Sequence, residues 1–380
     1  MRKNLFLAAV LATLLSCGNR GHGGERLLAD ELFMAQDSAL SQASEFSDTV
    51  KIKYARGLQV RYEADGVHIL VSNPDPSLRN RKTEEFVLTA PMSRFVCTTA
   101  LQLGNFEALG LEDRVVGINS LKNLFSSAVK QQLRNGSTRK IGKEGNFDLE
   151  TVLALKPDII LVSASKHGGF EVLRECGVPL ITHHGYKETN PLGQAEWLKL
   201  VGLLTGQTRR ANAVFADIEK KYLTLREEVA VHCQHSAAKL PTVASGRQIR
   251  DGWYVVGGKS YMARLFADAG ADYVMDDNED SGGRTLDFEA AYARAVHADF
   301  WQTDGAFEGE YTLQTLSAED SRYATLSAFR HARVLFCNFS QTPYRELSAV
   351  QPHFLLADFV KAFHPELLPH YNPKYYKLMK

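Results

Sequence analysis

Two kinds of hydrophobic pattern follow one another along the chain. Between residues 58 and 71, apolar and polar residues alternate on both sides of Asp65-Gly66, which is typical of a β-hairpin with a tight turn. From about Phe86 onward, short apolar runs alternate with stretches in which apolar residues recur every three or four positions. The runs predict buried strands and the stretches predict helices, so the pattern indicates an α/β fold with a mainly parallel sheet.

The predicted elements follow from these two patterns. The predicted strands are 95–98, 115–118, 159–162, 180–183, 241–244, 254–256, 273–275, 300–303 and 334–338. The predicted helices are 100–109, 121–134, 149–155, 169–175, 261–269, 288–295, 326–330 and 352–363.

A longer helical pattern occupies the middle of the chain. Residues 191–232 contain no proline after Pro191 and no glycine after Gly206, and apolar positions from Ala211 to Val229 step by three and four. The pattern predicts one long amphipathic helix between two Rossmann-like α/β lobes. We therefore expect an N-terminal segment at 17–56, an N-terminal lobe with its hairpin at 57–190, a linking helix region at 191–235 and a C-terminal lobe at 236–380.

The first residues have the pattern of an export signal. Arg2 and Lys3 precede an apolar run at 5–15, which is too short to span a bilayer. The following Ser16-Cys17 resembles the lipoprotein box of bacterial lipoproteins, and this resemblance implies cleavage after residue 16 and lipidation of Cys17. We expect a periplasmic protein anchored to a membrane by lipid; an ordinary signal peptide that contains a cysteine is the alternative. Which membrane carries the anchor stays open.

Composition narrows the class of protein. The chain has 380 residues, of which 44% are hydrophobic, so it can bury a large core. Basic and acidic residues balance at 44 each, whereas a nucleic-acid-binding protein needs a basic surface. We expect a monomer that does not bind nucleic acid. The chain has no HExxH, GxSxG or GxGxxG motif, which argues against an enzyme.

Four cysteines follow Cys17. Cys97 and Cys337 lie in apolar strand patterns and are expected to be buried thiols, whereas Cys176 and Cys233 lie outside such patterns. Export permits disulfides, so the pairing of these cysteines stays open. No CxxC pair is present, and we expect neither a structural metal nor a cofactor.

Each predicted lobe contains the same short pattern. Asp148-Leu149-Glu150 precedes a helix that leads to Asp158, and Asp287-Phe288-Glu289 precedes a helix that leads to Asp299. The aspartate before each helix is a good N-cap, and a glutamate in the first turn is favoured by the helix dipole. The repeat indicates two lobes of similar architecture.

Over about residues 86–365, the sequence resembles the substrate-binding proteins of ABC importers for ferric siderophores, haem and cobalamin. The resemblance rests on the long helix and on FEALGLEDRVVGI (106–118), FDLETVLALKPDIILVS (147–163), WYVVGGKSYMARLFADAGADYV (253–274) and HPELLP (364–369). It implies a ligand held between the lobes and delivery to a membrane permease with its ATPase. It also implies that Glu150 and Glu289 dock on permease arginines; the alternative is that both only begin helices.

Candidate ligand-binding residues follow from strand ends and from the resemblance. In a two-lobed α/β protein, the ligand lies at the carboxyl ends of the strands. The candidates are Thr98, Thr99, His167, Tyr186, Trp253, Tyr254, Arg284, Tyr344 and Arg345. Aromatic rings with arginine suit a large anionic chelate. Trp253 is alternatively a core residue, and His167 is alternatively an exposed loop residue.

The expected function is a substrate-binding lipoprotein that carries an iron chelate, a ferric siderophore, to an ABC permease. Cobalamin or haem is the alternative ligand. Two alternatives belong to other classes: an enzyme that processes haem, and a lipoprotein that only binds other proteins.

Overall fold

The computed structural model describes residues 27–34, 43–79, 82–119, 123–143, 145–163, 170–250 and 252–380. Its helices are α1 (Leu27–Met34), α2 (Ala100–Ala108), α3 (Ser127–Asn135), α4 (Leu149–Leu155), α5 (Pro191–Glu196), α6 (Leu198–Leu204), α7 (Thr208–His235), α8 (Tyr261–Asp268), α9 (Phe288–Ala295), α10 (Leu313–Glu319), α11 (Ser327–Arg330), α12 (Tyr344–Leu347) and α13 (Pro352–Phe363).

The strands are short, and most of them lie in two sheets. They are β1 (Leu58–Glu63), β2 (Gly66–Ser72), β3 (Thr83–Leu88), β4 (Phe95–Cys97), β5 (Val115–Ile118), β6 (Arg139–Lys140), β7 (Gly142–Lys143), β8 (Asn146–Phe147), β9 (Ile159–Val162), β10 (Leu180–Thr182), β11 (Thr242–Ser245), β12 (Arg247–Ile249), β13 (Gly252–Val256), β14 (Asp272–Tyr273), β15 (Gly283–Leu286), β16 (Phe300–Gly305), β17 (Val334–Asn338) and β18 (Lys377–Leu378).

The N-terminal lobe contains a parallel sheet in the order β10-β9-β4-β5-β6. Every residue of β4, β5 and β9 is buried. Helices cover both faces of such a sheet, which explains why its central strands are continuous apolar runs rather than alternating ones. The predicted α/β architecture of the N-terminal lobe is confirmed.

The C-terminal lobe repeats the arrangement in the order β14-β11-β16-β17-β18, with only β18 antiparallel. A second, antiparallel sheet of β12, β13 and β15 was not predicted. The predicted strand at 254–256 belongs to this second sheet, because Tyr254 pairs with Arg247 on one side and with Thr285 on the other. A short apolar run does not reveal which sheet it joins.

The predicted hairpin is present and is larger than expected. β1 and β2 pair in antiparallel register from Leu58↔Val71 to Glu63↔Gly66, and β3 extends them to a three-stranded sheet. Gly66 opens β2 with φ of 147°, and an added Cβ would meet the Leu88 carbonyl oxygen at 2.7 Å, so the turn requires glycine.

The linking region contains three helices. The predicted long amphipathic helix is α7, with 28 residues, and its apolar positions from Ala211 to Val229 are buried. The part before it forms α5 and α6 instead of continuing the same helix. Gly206, with φ of 68°, ends the run because a left-handed residue cannot continue an α-helix.

Other differences concern one strand, helix starts and short helices. The strand predicted at 273–275 is β14, at Asp272–Tyr273. The helix predicted at 121–134 begins at Ser127, where the Ser126 hydroxyl caps it, and the helix predicted at 169–175 is a 3₁₀ turn at Glu171–Cys176. Helices α10 and α12 were not predicted. None of the helices in the described ranges is long and apolar enough to cross a membrane.

The described cysteines carry free thiols. Cys97 and Cys337 are buried, as predicted, and Cys176 and Cys233 are partly exposed. Burial raises the pKa of both Cys97 and Cys337, so these two thiols stay protonated. Cys17 lies outside the described residues.

Candidate functional site

The sequence repeat corresponds to a structural repeat. Asp148 caps α4 by accepting from the Thr151 amide at 2.9 Å, and Asp287 caps α9 by accepting from the Ala290 amide at 2.9 Å.

The second aspartate of each repeat also accepts from an equivalent backbone position in both lobes. Asp158 accepts from the Arg94 amide at 2.9 Å, just before β4, and Asp299 accepts from the Thr242 amide at 2.8 Å, at the start of β11. In each lobe, the residue before β9 or β16 is therefore joined to the start of the neighbouring strand, β4 or β11.

The two repeat glutamates are exposed in the first turns of α4 and α9. A helix between parallel strands runs opposite to them, so its first turn lies at the carboxyl edge of the sheet. The side chain of Glu289 is 84% exposed, with Arg322 Nη1 at 4.0 Å from its Oε1. Glu150 and Glu289 thus lie at the edge of their lobes where ligands bind in α/β proteins.

Segments that follow the carboxyl ends of strands in the two sheets contact each other, so these edges flank the crevice between the lobes. On one side, Glu346 of the C-terminal lobe accepts from the amides of Phe125, at 2.6 Å, and Ser126, at 3.0 Å. Nearby, Asn123 Nδ2 donates to the Phe339 carbonyl oxygen at 3.3 Å. The loop after β5 and the segment after β17 therefore hold the lobes together on this side.

A second bridge involves the loop after β2. Asp75 accepts from Ser281 Oγ at 3.1 Å, and its other oxygen lies 3.6 Å from Lys187 Nζ. Burial alone would raise the pKa of Asp75, but hydrogen bonds from Ser77 and Ser281 and the charge of Lys187 bring it below its ordinary value. The ionised carboxylate thus joins three segments of the chain.

A cavity of about 580 Å³ opens beside this bridge. Charged and polar side chains from both lobes contribute to its wall, including Arg56, Ser77, Lys259, Arg264 and Glu279.

The C-terminal lobe brings charged groups together at the carboxyl ends of its strands. Asp304 lies near the end of β16, and Arg247 and Arg345 come from the segments after β11 and β17. Burial raises the pKa of Asp304, while Gln302 and the two guanidinium groups act in the opposite direction. Arg247 also pairs with Glu319, whose Oε2 lies 3.9 Å from its Nη1, so the two arginines face two carboxylates.

Tyrosines surround this charged group. Burial and then the charge of Asp304 raise the pKa of Tyr254, whose side chain is nonetheless exposed. Tyr261 and Tyr344 share a hydrogen bond of 2.8 Å between their hydroxyls, and burial raises the pKa of Tyr261 to about 12. All three are neutral phenols at neutral pH.

Several predicted ligand residues lie in or near this group. Tyr254, Tyr344 and Arg345 belong to it, and Arg345 stacks over the Phe339 ring at 4.9 Å. Arg284 is exposed on β15 opposite Val255 and pairs with Asp280 at 3.2 Å. We call the set of Arg247, Tyr254, Tyr261, Asp304, Tyr344 and Arg345 the crevice cluster.

Trp253 lies elsewhere than predicted. Its side chain is fully buried, its Nε1 donates to the Ser245 carbonyl oxygen at 3.0 Å, and its ring lies 5.8 Å from that of Trp301. The structure therefore assigns Trp253 to the core of the C-terminal lobe, because adjacent residues of β13 point to opposite faces and Tyr254 takes the exposed one.

The candidates in the N-terminal lobe have local structural partners. Thr98 is buried and its hydroxyl donates to the Leu161 carbonyl oxygen at 3.1 Å, and Thr99 caps α2 in a capping box with Gln102. Tyr186 is 36% exposed in the turn after β10, with Lys187 Nζ 5.3 Å from its ring centre. His167 lies outside the described residues.

Sequence reasoning missed Arg247, Tyr261 and Asp304. Two of them follow predicted strands closely, since Arg247 comes three residues after 241–244 and Asp304 directly after 300–303. The rule that ligands lie at strand carboxyl ends would have found both. Tyr261 opens a helix, and no pattern in the sequence connects it with the other two.

Two α/β lobes that face each other across a crevice, with a long helix between them in the chain, define a two-lobed solute-binding protein. A family model described as "Periplasmic binding protein" matches residues 95–340, and the chain belongs to this family. The predicted membership is confirmed. Members of this family are solute-binding proteins and not enzymes.

Individual relatives are distant in sequence. An uncharacterized lipoprotein of Methanocaldococcus jannaschii is 23% identical over 81% of this chain and 75% of its own length. A periplasmic haem-binding protein of Pseudomonas aeruginosa superposes with a TM-score of 0.55 at 21% identity, over 72% of this chain and 93% of that one.

Another similar structure is described as an ABC-type Fe³⁺-hydroxamate transport system of Saccharomonospora viridis, with a TM-score of 0.57 at 16% identity. The match covers 74% of this chain and 96% of that one. At these identities the solved structures establish the shared fold.

Proposed function

We propose that this protein carries a ferric siderophore in the crevice between its lobes and delivers it to the permease of an ABC importer. The crevice cluster is the observation that supports the ligand class most directly. Arginines and neutral tyrosines suit a large ligand that combines negative charge with flat or apolar surface. Similar folds that are described as binding haem or as transporting Fe³⁺-hydroxamate agree with this class.

A fluorescence titration tests the ligand. The purified full chain is titrated with ferric hydroxamate and catecholate siderophores, hemin and cyanocobalamin, and tryptophan emission is followed. Energy transfer to a coloured ligand needs no contact, so the buried tryptophans still report binding. Saturable quenching by a ferric siderophore supports the proposal. Saturation by hemin or cyanocobalamin alone would replace the siderophore with that ligand, and no saturation would overturn the carrier.

Variants locate the binding site. Arg345→Ala removes one charge of the crevice cluster and is expected to weaken binding by about 10-fold or more, as the loss of a charge-assisted contact does. The control is Arg330→Ala, because α11 ends at the start of β17, at the opposite edge of the sheet. Equal affinities of the two variants would place the ligand outside the crevice cluster.

Docking on the permease is proposed to use Glu150 and Glu289. Both are exposed at the crevice edge of their lobes, where two arginine-bearing surfaces could bind them at once. Glu150→Arg with Glu289→Arg should abolish uptake in cells while ligand affinity is unchanged. The control pair, Glu175→Arg with Glu227→Arg, changes the same charge at two other exposed positions. Uptake that survives the first pair would refute the docking role.

Anchoring is proposed to depend on lipid at Cys17, in a protein that is otherwise a periplasmic monomer. The lipoprotein named among the relatives agrees with this. Cys17→Ser should move the protein from the membrane fraction to the soluble fraction, since acyl chains supply the membrane affinity. An unchanged membrane fraction would argue against lipidation.

A further inference from the structure

Two segments of the C-terminal half bring two histidines and a glutamate together. His232 lies in the last turn of α7, and His364 and Glu366 follow α13. His232 Nε2 lies 3.0 Å from Glu366 Oε1, and the two imidazole rings are 5.1 Å apart in an edge-to-face arrangement. One ligand atom from each of the three residues lies within 4.8 Å of the others.

The surroundings of His364 are those of an oriented ligand. His364 is buried, and its Nε2 donates to the Gly270 carbonyl oxygen at 3.1 Å, which leaves the lone pair on Nδ1. A histidine that binds a metal through one ring nitrogen commonly donates its other ring N–H to a group such as a backbone carbonyl. Cys233 Sγ lies 3.9 Å from the same Nε2 of His364, on the side of the ring that faces Gly270.

Backbone geometry leaves room for this group. Gly270 has φ of 73°, and an added Cβ would meet both Cys233 Sγ and His364 Nε2 at 2.8 Å. The last turn of α7 also carries the partial negative charge of a helix C-terminus, which favours a cation. The position therefore combines imidazole and carboxylate donors with a favourable electrostatic field.

We propose that His232, His364 and Glu366 bind a divalent transition metal, Zn²⁺ in preference to Mg²⁺ or Ca²⁺. Imidazole and carboxylate are usual zinc ligands at about 2.0–2.2 Å, so two ligands of one tetrahedral ion lie about 3.4 Å apart. Small rotations of the partly exposed His232 and Glu366 side chains bring the three donors to that separation. Mg²⁺ and Ca²⁺ prefer oxygen ligands, of which this group offers only one residue.

The site lies apart from the crevice. Gly270 occupies the turn between α8 and β14, where a helix returns to the amino edge of the sheet. The crevice cluster lies at the carboxyl edge. A metal here would hold the end of α7 to the C-terminal lobe, and its binding is independent of any ligand between the lobes.

Equilibrium dialysis of the full chain against Zn²⁺, with metal analysis, tests the proposal. At least one equivalent is expected to bind, and His232→Ala should weaken the binding of one equivalent by about tenfold or more. The matched control is His297→Ala, an exposed histidine of the same lobe that lies outside the group. Because His364 is buried and its loss could unfold the lobe, Glu366→Gln is the second variant.

Co²⁺ provides a second readout. Its visible absorption should be intense for a tetrahedral site. Zn²⁺ should also raise the melting temperature of the wild type more than that of His232→Ala. Absence of Zn²⁺ binding by the wild type, or binding that is equal in His232→Ala, Glu366→Gln and His297→Ala, would overturn the proposal.

Discussion

The carboxylate of Glu346, in the C-terminal lobe, accepts a hydrogen bond of 3.0 Å from the backbone amide of Ser126, in the N-terminal lobe. The Phe125 amide donates to the other carboxylate oxygen at 2.6 Å. Glu346 is 1% exposed, so both contacts are shielded from solvent. One buried side chain thus joins the lobes on one side of the crevice.

Loss of this carboxylate is expected to destabilise the protein. Glu346→Ala leaves two amides without their acceptor and should lower the free energy of unfolding by about 1–3 kcal/mol. Urea denaturation measures the change. Glu308→Ala, at an exposed position after β16, is the control and should have little effect. Equal stability of Glu346→Ala and wild type would show that the contact contributes nothing.

The approach of α2 to α12 leads to a second prediction. A Cβ added at Gly104 would lie 1.7 Å from the Glu346 carbonyl oxygen, so the helices must separate to accept it. Gly104→Ala should destabilise by about 1–3 kcal/mol, although alanine favours a helix more than glycine does. Gly282→Ala meets no atom within 4 Å and is the control. A stabilised Gly104→Ala variant would contradict this packing.

The hairpin sheet should have a pH-dependent stability. Hydrogen bonds first with Asp65, at 2.9 Å, and then with Glu85, at 2.8 Å, raise the pKa of His68. Glu63 and Arg61 also face this group, through Oε2 of Glu63 and the Arg61–Glu85 pair.

Since the pKa of His68 is raised in the folded state, its contribution is complete below the unfolded value of about 6.5 and is lost as pH rises through the folded value. The melting temperature of the wild type relative to His68→Gln should fall between about pH 5 and about pH 8. A constant difference across this range would refute the role of His68.

The tryptophan side chains should be shielded from a quencher in solution. Trp197, Trp253 and Trp301 are each less than 2% exposed. Iodide should quench the native protein far less than the urea-unfolded chain, because the ion must contact the indole ring.

The Trp253 side chain also contributes to stability. Trp253→Phe should cost about 1–3 kcal/mol, since it removes the hydrogen bond to Ser245 and leaves a small cavity. Strong iodide quenching of the native state that disappears in Trp253→Phe would show instead that this residue lines the crevice.

Hydrophobic periodicity determined much of the fold by itself. The runs at 115–118, 159–162 and 334–338 became strands with the predicted bounds, and the steps from Ala211 to Val229 became the buried face of α7. These predictions succeeded because burial in a sheet or on one helix face imposes a local pattern. The repeated aspartates also carried enough local chemistry to identify two helix caps.

Only the tertiary structure decided which residues meet. Arg247, Asp304 and Arg345 come from the ends of three strands, and the order β11-β16-β17 makes them neighbours. The residue pattern did not show that Tyr254 is exposed and Trp253 is buried. It also did not show to which sheet their strand belongs. His232 and His364 are likewise brought together only by the packing of α7 against α13. Periodicity records the burial of single residues, whereas a site depends on distances between segments that lie far apart in the chain.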